Sequence, residues 1–243
     1  MLWRQFKLNW TYAIGELAIV TVGVLIALAV GQWNSNRLAG VEEATYVSRL
    51  ISDIEEDIRD LEYQINAVDQ KQESLARVAD QLRSGQISDH LAFFQDVVIG
   101  ANFGWNQTAA RRATYDDLIG SGSFGLINDH RIRILISDYY GGFEGGRNRV
   151  EERETRYPNL TYELIPRSST AMDDGQVWER SVGPNLQPDR IEEIYQNILD
   201  SDLEALTLAE ANFGKFVMGR SLSQLEEAKT LRTTLANYLG TLD

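Results

Sequence analysis

VEEATYVSRLISDIEEDIRDLEYQINAVDQKQESLARVADQLRSG, residues 41–85, decides the fold. Apolar or small side chains stand at Val47, Ile51, Ile54, Ile58, Leu61, Ile65, Val68, Leu75, Ala79 and Leu82, and only Gln72 interrupts the row. Alternating steps of four and three are the period of an α-helical heptad seam. The spacing predicts one long helix over about 41–83, stopped at Ser84-Gly85, where glycine favours a helix end. A heptad seam serves either a coiled coil between chains or the core face of an antiparallel bundle within one chain. The intrachain bundle is expected, because later segments offer amphipathic partners.

Outward from this helix, further helices are expected at about 88–99 and 107–119, and a third from about Asn128 through Tyr140. Extension of the third to Arg156 would have to pass the glycine-rich GGFEGG at 141–146. Pro188-Asp189 opens another, with Ile191, Ile194, Tyr195, Ile198 and Leu199 on one face. Leu222, Leu225, Ala228, Leu231, Leu235 and Leu239 place a last helix over 221–239. No alternating strand pattern appears, so the fold class is all-α. Residues 157–188 hold all four prolines with Gly175 and Gly183, and are expected to form an irregular crossover that could carry a binding surface.

On the N-terminal side, TYAIGELAIVTVGVLIALAVGQWN at 11–34 contains one charged side chain, Glu16. The 22 residues of 12–33 span roughly 33 Å as a helix, enough for a hydrocarbon core of about 30 Å. Trp10, Tyr12 and Trp33 mark its two ends, where amphipathic rings favour the headgroup layer. Arg4, Lys7 and the small-residue Ala27-Leu28-Ala29 also suit a secretory signal peptide, but the apolar run is long for one, so an uncleaved anchor is expected. Arg4 and Lys7 precede the span without an acid, whereas Arg37, Glu42 and Glu43 follow it. The positive-inside rule then puts the N-terminus in the cytoplasm. The expected organisation is a cytoplasmic segment at 1–11, a transmembrane helix at 12–33, a polar hinge at 34–40 and a helical domain at 41–243, periplasmic in a bacterial inner membrane.

The chain has 23 basic and 36 acidic residues. Setting aside Arg4, Lys7, Arg37 and Glu16 leaves a domain of about −15, which repels nucleic acid and anionic headgroups. No cysteine is present, which fits an oxidising compartment, and a core of this size needs no disulfide.

YAIGELAIVTVGVLIALAVGQWN, the heptad helix, and ATYDDLIGSGSFGLINDHRIRILISDYY together resemble a family of bacterial membrane-anchored proteins of unknown function. Tyr12, Ile14, Gly15, Glu16, Trp33 and Asn34 match its first motif. Thr114, Tyr115, Leu118, Ser121, Gly122, Ile127, Asn128 and Tyr139 match its second. The resemblance spans most of the chain and implies an architecture rather than an activity. GGFEGG departs from the family pattern.

By its own chemistry the second motif reads as a helix-loop-helix corner. Thr114 and Asp117 have capping spacing, the glycines of 120–125 permit a tight turn, and Asn128 can cap the next helix. GSGSFG is not a phosphate loop, since no Gly-Lys-Ser/Thr follows and no strand precedes it. His90 and His130 stand 40 residues apart with no second ligand at metal spacing. Asp53, Glu56, Asp57 and Asp60 could weakly attract a divalent cation, but read better as a solvated helix face. No Gly-x-Ser-x-Gly and no cysteine nucleophile occur, and no catalytic residue, metal or cofactor is expected. The only basic clusters, Arg111-Arg112 and the run from Arg147 and Arg149 to Arg153 and Arg156, are candidates for docking a partner.

On a helical wheel Tyr12, Gly23, Ala27 and Val30 fall within about 40° of Glu16, while Leu17, Leu25 and Leu28 lie across from it. Small residues allow close backbone approach in lipid and an ionisable group there needs a partner, so this face is expected to contact another transmembrane helix. The alternative is that Glu16 snorkels to the interface. The functional expectation is a non-enzymatic accessory or scaffold subunit of a larger inner-membrane assembly, respiratory, photosynthetic or for transport. Its partners would be other integral membrane subunits and the lipid bilayer, with no nucleic acid. A self-associating periplasmic sensor or ligand-binding module, a homo-oligomer, is the second reading, and an unrecognised hydrolase the third.

Overall fold

The computed structural model describes the backbone of residues 10–101, 109–151, 155–165, 167–168, 181–182 and 186–242, and the side chains of 14–101, 109–145, 155–165 and 186–242. Its spine is α1, Trp10–Ser84, one unbroken helix of 75 residues and roughly 110 Å. The hinge expected at 34–40 is helical. That stretch holds no proline, and a single glycine, Gly40, costs about 1 kcal/mol in a helix, too little to break one supported on both sides. As the sequence predicts, α1 stops at Ser84, and Gly85 follows with φ of 65°, where a Cβ would be strained.

The other elements are α2 (His90–Gly100), α3 (Ala113–Gly120), a 3-10 turn (Ser123–Leu126), α4 (His130–Glu151), α5 (Tyr157–Leu164), α6 (Pro188–Leu199) and α7 (Leu203–Leu239). Two residues, Arg167–Ser168, pair antiparallel with Ser181–Val182, too short a ladder to alter an all-α fold. Asp89 starts α2, its carboxylate accepting from the Leu91 and Ala92 N–H groups at 2.9 and 3.0 Å. The helix expected at 107–119 begins only at Ala113, because the Arg111 N–H goes to the Asp57 carboxylate at 2.9 Å rather than to a helical carbonyl; 107–108 lie outside the described residues. α4 continues through Gly141 and Gly142, with Phe143 buried and the Arg220 guanidinium donating to the Gly142 carbonyl at 2.6 Å. Within the expected crossover, Tyr157–Leu164 is helix: Pro158 sits in its first turn, where proline starts helices. Residues 169–180 of that crossover lie outside the described residues.

α7 is the larger departure. It reaches back to Leu203, far before 221, and packs antiparallel along α1, so the bundle is intrachain. Residues 203, 207, 210, 214, 217, 221, 224, 228, 231 and 235 are all buried, a complete heptad row in which Thr207, Glu210, Gly214, Ser221 and Gln224 hide the pattern from a search for leucines. On α1 the seam is also shifted. Val47, Ile54, Leu61, Val68 and Leu75 form one row as expected, but the other is Glu43, Leu50, Asp57, Gln64, Lys71 and Val78; Ile51, Ile58 and Ile65 are only half-buried at its edge. Two apolar cores follow along the α1–α7 pair. One, toward the apolar end of α1, adds Leu118 of α3 and Ile136, Tyr139 and Tyr140 of α4. The other adds Phe93, Phe94 and Val97 of α2, Tyr157 of α5 and Ile194 and Ile198 of α6.

Candidate functional site

The polar row of α1 organises the interior, and each charged member has a partner from elsewhere in the chain. The Glu43 carboxylate accepts from the Asn128 backbone and side-chain N–H groups, both at 2.7 Å, and from the Tyr238 hydroxyl. Asp57 accepts from the Arg111 N–H at 2.9 Å and from the Tyr139 hydroxyl at 2.9 Å. Lys71 is 2 % exposed and meets the fully buried Glu210 of α7 at 2.6 Å, and the Thr155 hydroxyl also donates to Glu210.

The α3-to-α4 corner is the piece that grips the first two rungs. Gly122, at φ of 74°, makes the turn, and Leu118 and Ile127 are fully buried beneath it. Asp117 does not pair with Thr114 as a cap. Thr114 is buried within α3, and Asp117 instead accepts from Tyr46 and Arg49 of α1, both at 3.3 Å. Nor does Asn128 cap α4: Asp129 does, accepting from the Arg131 N–H at 2.7 Å, which frees Asn128 to bind Glu43. Tyr115 stacks on Tyr140 with ring centroids 4.3 Å apart, and the Arg112 guanidinium lies over both rings.

Both predicted docking arginines of this corner are engaged within the chain. Arg111 meets Glu56 at 2.5 Å and Asp60 at 2.6 Å besides Asp57, so three of the four acids read as a solvated face converge on it; these contacts hold its guanidinium above the ordinary arginine range. Arg112 meets Asp116 at 3.2 Å. The side chains of Arg147 and Arg149 lie outside the described residues, as does that of Tyr12. Glu16, Gly23, Ala27 and Val30 are exposed on α1, and apart from the adjoining residues and backbone of its own helix nothing stands within 4 Å of where a Gly23 Cβ would lie. The apolar stretch beginning at Ile14 has mean hydropathy 2.3 and is a candidate membrane span by length and composition.

Burial dominates at Asp57 and pushes its carboxyl above the ordinary aspartate value, against the lowering effect of Arg111 and Tyr139. The folded chain therefore takes up this proton before the unfolded chain does. The contribution of Asp57 to stability is present below the unfolded pKa near 4 and lost as pH rises through the higher folded value. Denaturant titrations at pH 4 and pH 7 should show that Asp57→Asn loses more stability relative to wild type at pH 4 than at pH 7. An equal difference at both pH values would contradict the raised carboxyl. Tyr139 and Tyr140, buried beside Asp57, are pushed upward as well and stay protonated.

Among the described residues no group of three or more His, Cys, Asp or Glu side chains is placed to hold a metal ion. The contacts of Asp57, Arg111, Asp117, Asn128 and Tyr139 tie the corner to α1.

The family of unknown function DUF6090 matches residues 16–146, more than half of the chain. The chain belongs to the DUF6090 family. No curated protein and no solved structure matches it. The DUF6090 segment begins at Glu16 in the apolar stretch and ends within α4, leaving α5, α6 and α7 beyond it. The Asp57, Arg111 and Tyr139 contacts, the Glu43–Asn128 contact and the Asp117 contacts all close within the DUF6090 segment. Lys71–Glu210 and Glu43–Tyr238 join it to α7. Neither Lys71 nor Glu210 was singled out from the sequence; the available signal was that both occupy heptad positions, at the same spacing as their apolar neighbours.

Proposed function

We propose that this DUF6090 chain is a single-pass membrane protein and a non-enzymatic scaffold subunit, docked through the Glu16, Gly23 and Ala27 face on a helix of another integral membrane subunit. The N-terminus is cytoplasmic and the bundle periplasmic in a bacterial inner membrane, by the bias of Arg4 and Lys7 ahead of the span. The supporting observation is the continuity of α1, which makes one helix both the apolar stretch and the central seam of the bundle. A hinge would let anchor and bundle turn independently. An unbroken helix instead fixes the angle between the Glu16 face and every element packed on the seam, as a scaffold requires and a freely tethered enzyme does not.

Gly23→Leu should block close approach and detach the chain from its complex while leaving insertion intact, because leucine makes the span more apolar. Leu25→Ala, on the other face, should change little. The measurement is stoichiometric co-purification from native membranes, normalised to inserted protein, with a periplasm-dependent reporter after Asp243 checking orientation. Equal recovery from wild type and Gly23→Leu would rule out this contact face, and a silent reporter would rule out the orientation.

A further inference from the structure

Three segments converge on the end of the bundle nearest the apolar stretch. α3 runs along α1 toward it: Arg111 donates to Asp57, and six residues on Asp117 accepts from Tyr46 and Arg49. α4 departs from it, with Asn128 on Glu43 and Tyr139 on Asp57. The corner between them, 118–128, therefore closes the bundle on that side. α7 arrives there too, since Lys229, Arg232 and Tyr238 meet Glu62, Glu55 and Glu43 in turn. On α1 itself cover begins at Ala39 and Gly40, which are partly buried, whereas residues 14–38 are exposed throughout. This end is also where charge is missing. LIGSGSFGLIN at 118–128 and TTLANYLGTL at 233–242 hold no charged side chain, in a chain with 36 acidic residues. Between Glu16 and Glu42 the one charge on α1 is a cation, Arg37. Leu38, Val41 and Ile119, at 55, 60 and 49 % exposure, give the same end an apolar surface that the chain leaves open.

Resting on the reading of 12–33 as a membrane span, we infer that this base of the bundle, residues 119–126 and 239–242 with Leu38 and Val41 of α1, seats on the phospholipid headgroup layer, held at that height by α1. The height follows from the helix. Trp33 marks the end of the span, and the six residues from it to Ala39 rise about 9 Å without a break. A headgroup layer is about 5–7 Å thick, so the base begins at its outer edge. The charge pattern suits that neighbour. A carboxylate there would stand within a Debye length, about 8 Å, of the lipid phosphates and be repelled, whereas uncharged residues approach freely and Arg37 is attracted. The acids of α1 resume only at Glu42 and Glu43, and Glu43 is buried against Asn128 and Tyr238.

The chain has no cysteine, so single-cysteine variants each take one fluorophore. Gly125→Cys and Thr241→Cys put it at the base, and Ser88→Cys puts it past Ser84, which lies roughly 60 Å along α1 from Glu43. All three positions are exposed, and beyond its chain neighbours nothing stands within 4 Å of a Cβ at Gly125. The labelled full chains are reconstituted in phosphatidylcholine vesicles carrying some lipid with a nitroxide on its headgroup. The Gly125 and Thr241 labels should lose most of their emission to the nitroxide and be shielded from iodide in the water. The Ser88 label should keep its emission and be open to iodide. Seven helical residues of alanine and glutamine inserted after Arg37 add two turns, about 10 Å, and should bring both base labels to the behaviour of Ser88. Base labels open to iodide and untouched by the nitroxide, in a chain that stays inserted, would overturn the inference and leave this surface to a protein partner. Quenching unchanged by the insertion would overturn it as well, since α1 would then not set the height. A chain stripped from the vesicles by alkaline washing would overturn the membrane span, and the headgroup contact with it. The scaffold reading is judged apart from all of these, by co-purification from native membranes.

Discussion

Lys71→Met should lower the unfolding free energy by about 3–5 kcal/mol, because it leaves the Glu210 carboxylate buried without its cation. Glu210→Leu should cost a comparable amount by stranding the ammonium. The double variant Lys71→Met, Glu210→Leu should recover most of the loss, since two apolar side chains of similar volume replace a desolvated pair that roughly breaks even against them. Denaturant unfolding of the four proteins closes the cycle, and additive losses in the double variant would show that the pair is not a unit. A second signature is pH. Burial outweighs the pull of Glu210 and pushes the Lys71 ammonium down to about 8. Between that value and the unfolded value near 10.4 the unfolded chain holds more protons, so the Lys71 contribution makes stability rise with pH across this window. The double variant should lack that rise.

Leu61→Ala should cost about 2–5 kcal/mol, the range for deleting a leucine side chain from a packed core. Leu61 is fully buried in the core shared by α1, α3, α4 and α7. Ile58→Ala should cost about 1 kcal/mol or less, since Ile58 lies half-buried at the edge of a surface groove with Glu55, Arg59, Lys229 and Arg232. Ile58→Asp should likewise leave the chain folded, with cations near enough to accept the carboxylate. The heptad row read from the sequence makes Ile58 a seam residue equal to Leu61. Comparable losses from the two alanine variants would restore that register and contradict the one containing Asp57.

The family resemblance read from the sequence was correct at the level of a family of unknown function; the match to residues 16–146 contains the whole second motif but only Glu16, Trp33 and Asn34 of the first, leaving Tyr12, Ile14 and Gly15 outside it. The motifs owe their pattern to packing: the corner glycines and the buried Leu118 and Ile127 shape the turn, and Asn128, Asp117 and Tyr139 supply its grip on α1. Their partners on α1 could not be read with them. Glu43 and Asp57 lie 85 and 82 residues from Asn128 and Tyr139, and a carboxylate on a helix surface carries no local mark of the hydrogen bonds that will bury it.

Local physics was sufficient for the all-α class, the stop at Ser84, the apolar stretch ahead of the bundle, and the row of Val47, Ile54, Leu61, Val68 and Leu75. Each depends on helical periodicity, on a glycine, or on a run without charges, all properties of neighbouring residues. Tertiary structure alone decided the second row of the seam. Sequence favours Ile51, Ile58 and Ile65 there, because isoleucine is more apolar than aspartate, glutamine or lysine. The folded chain buries Asp57, Gln64 and Lys71 instead, with Arg111, Tyr139 and Glu210 arriving from distant segments to offset the desolvation of the two charges. For the same reason α7 was seen only from Ser221 onward. Its earlier turns present Thr207, Glu210 and Gly214 to α1, and such positions become interior only when the opposite helix supplies a matching charge or a close backbone.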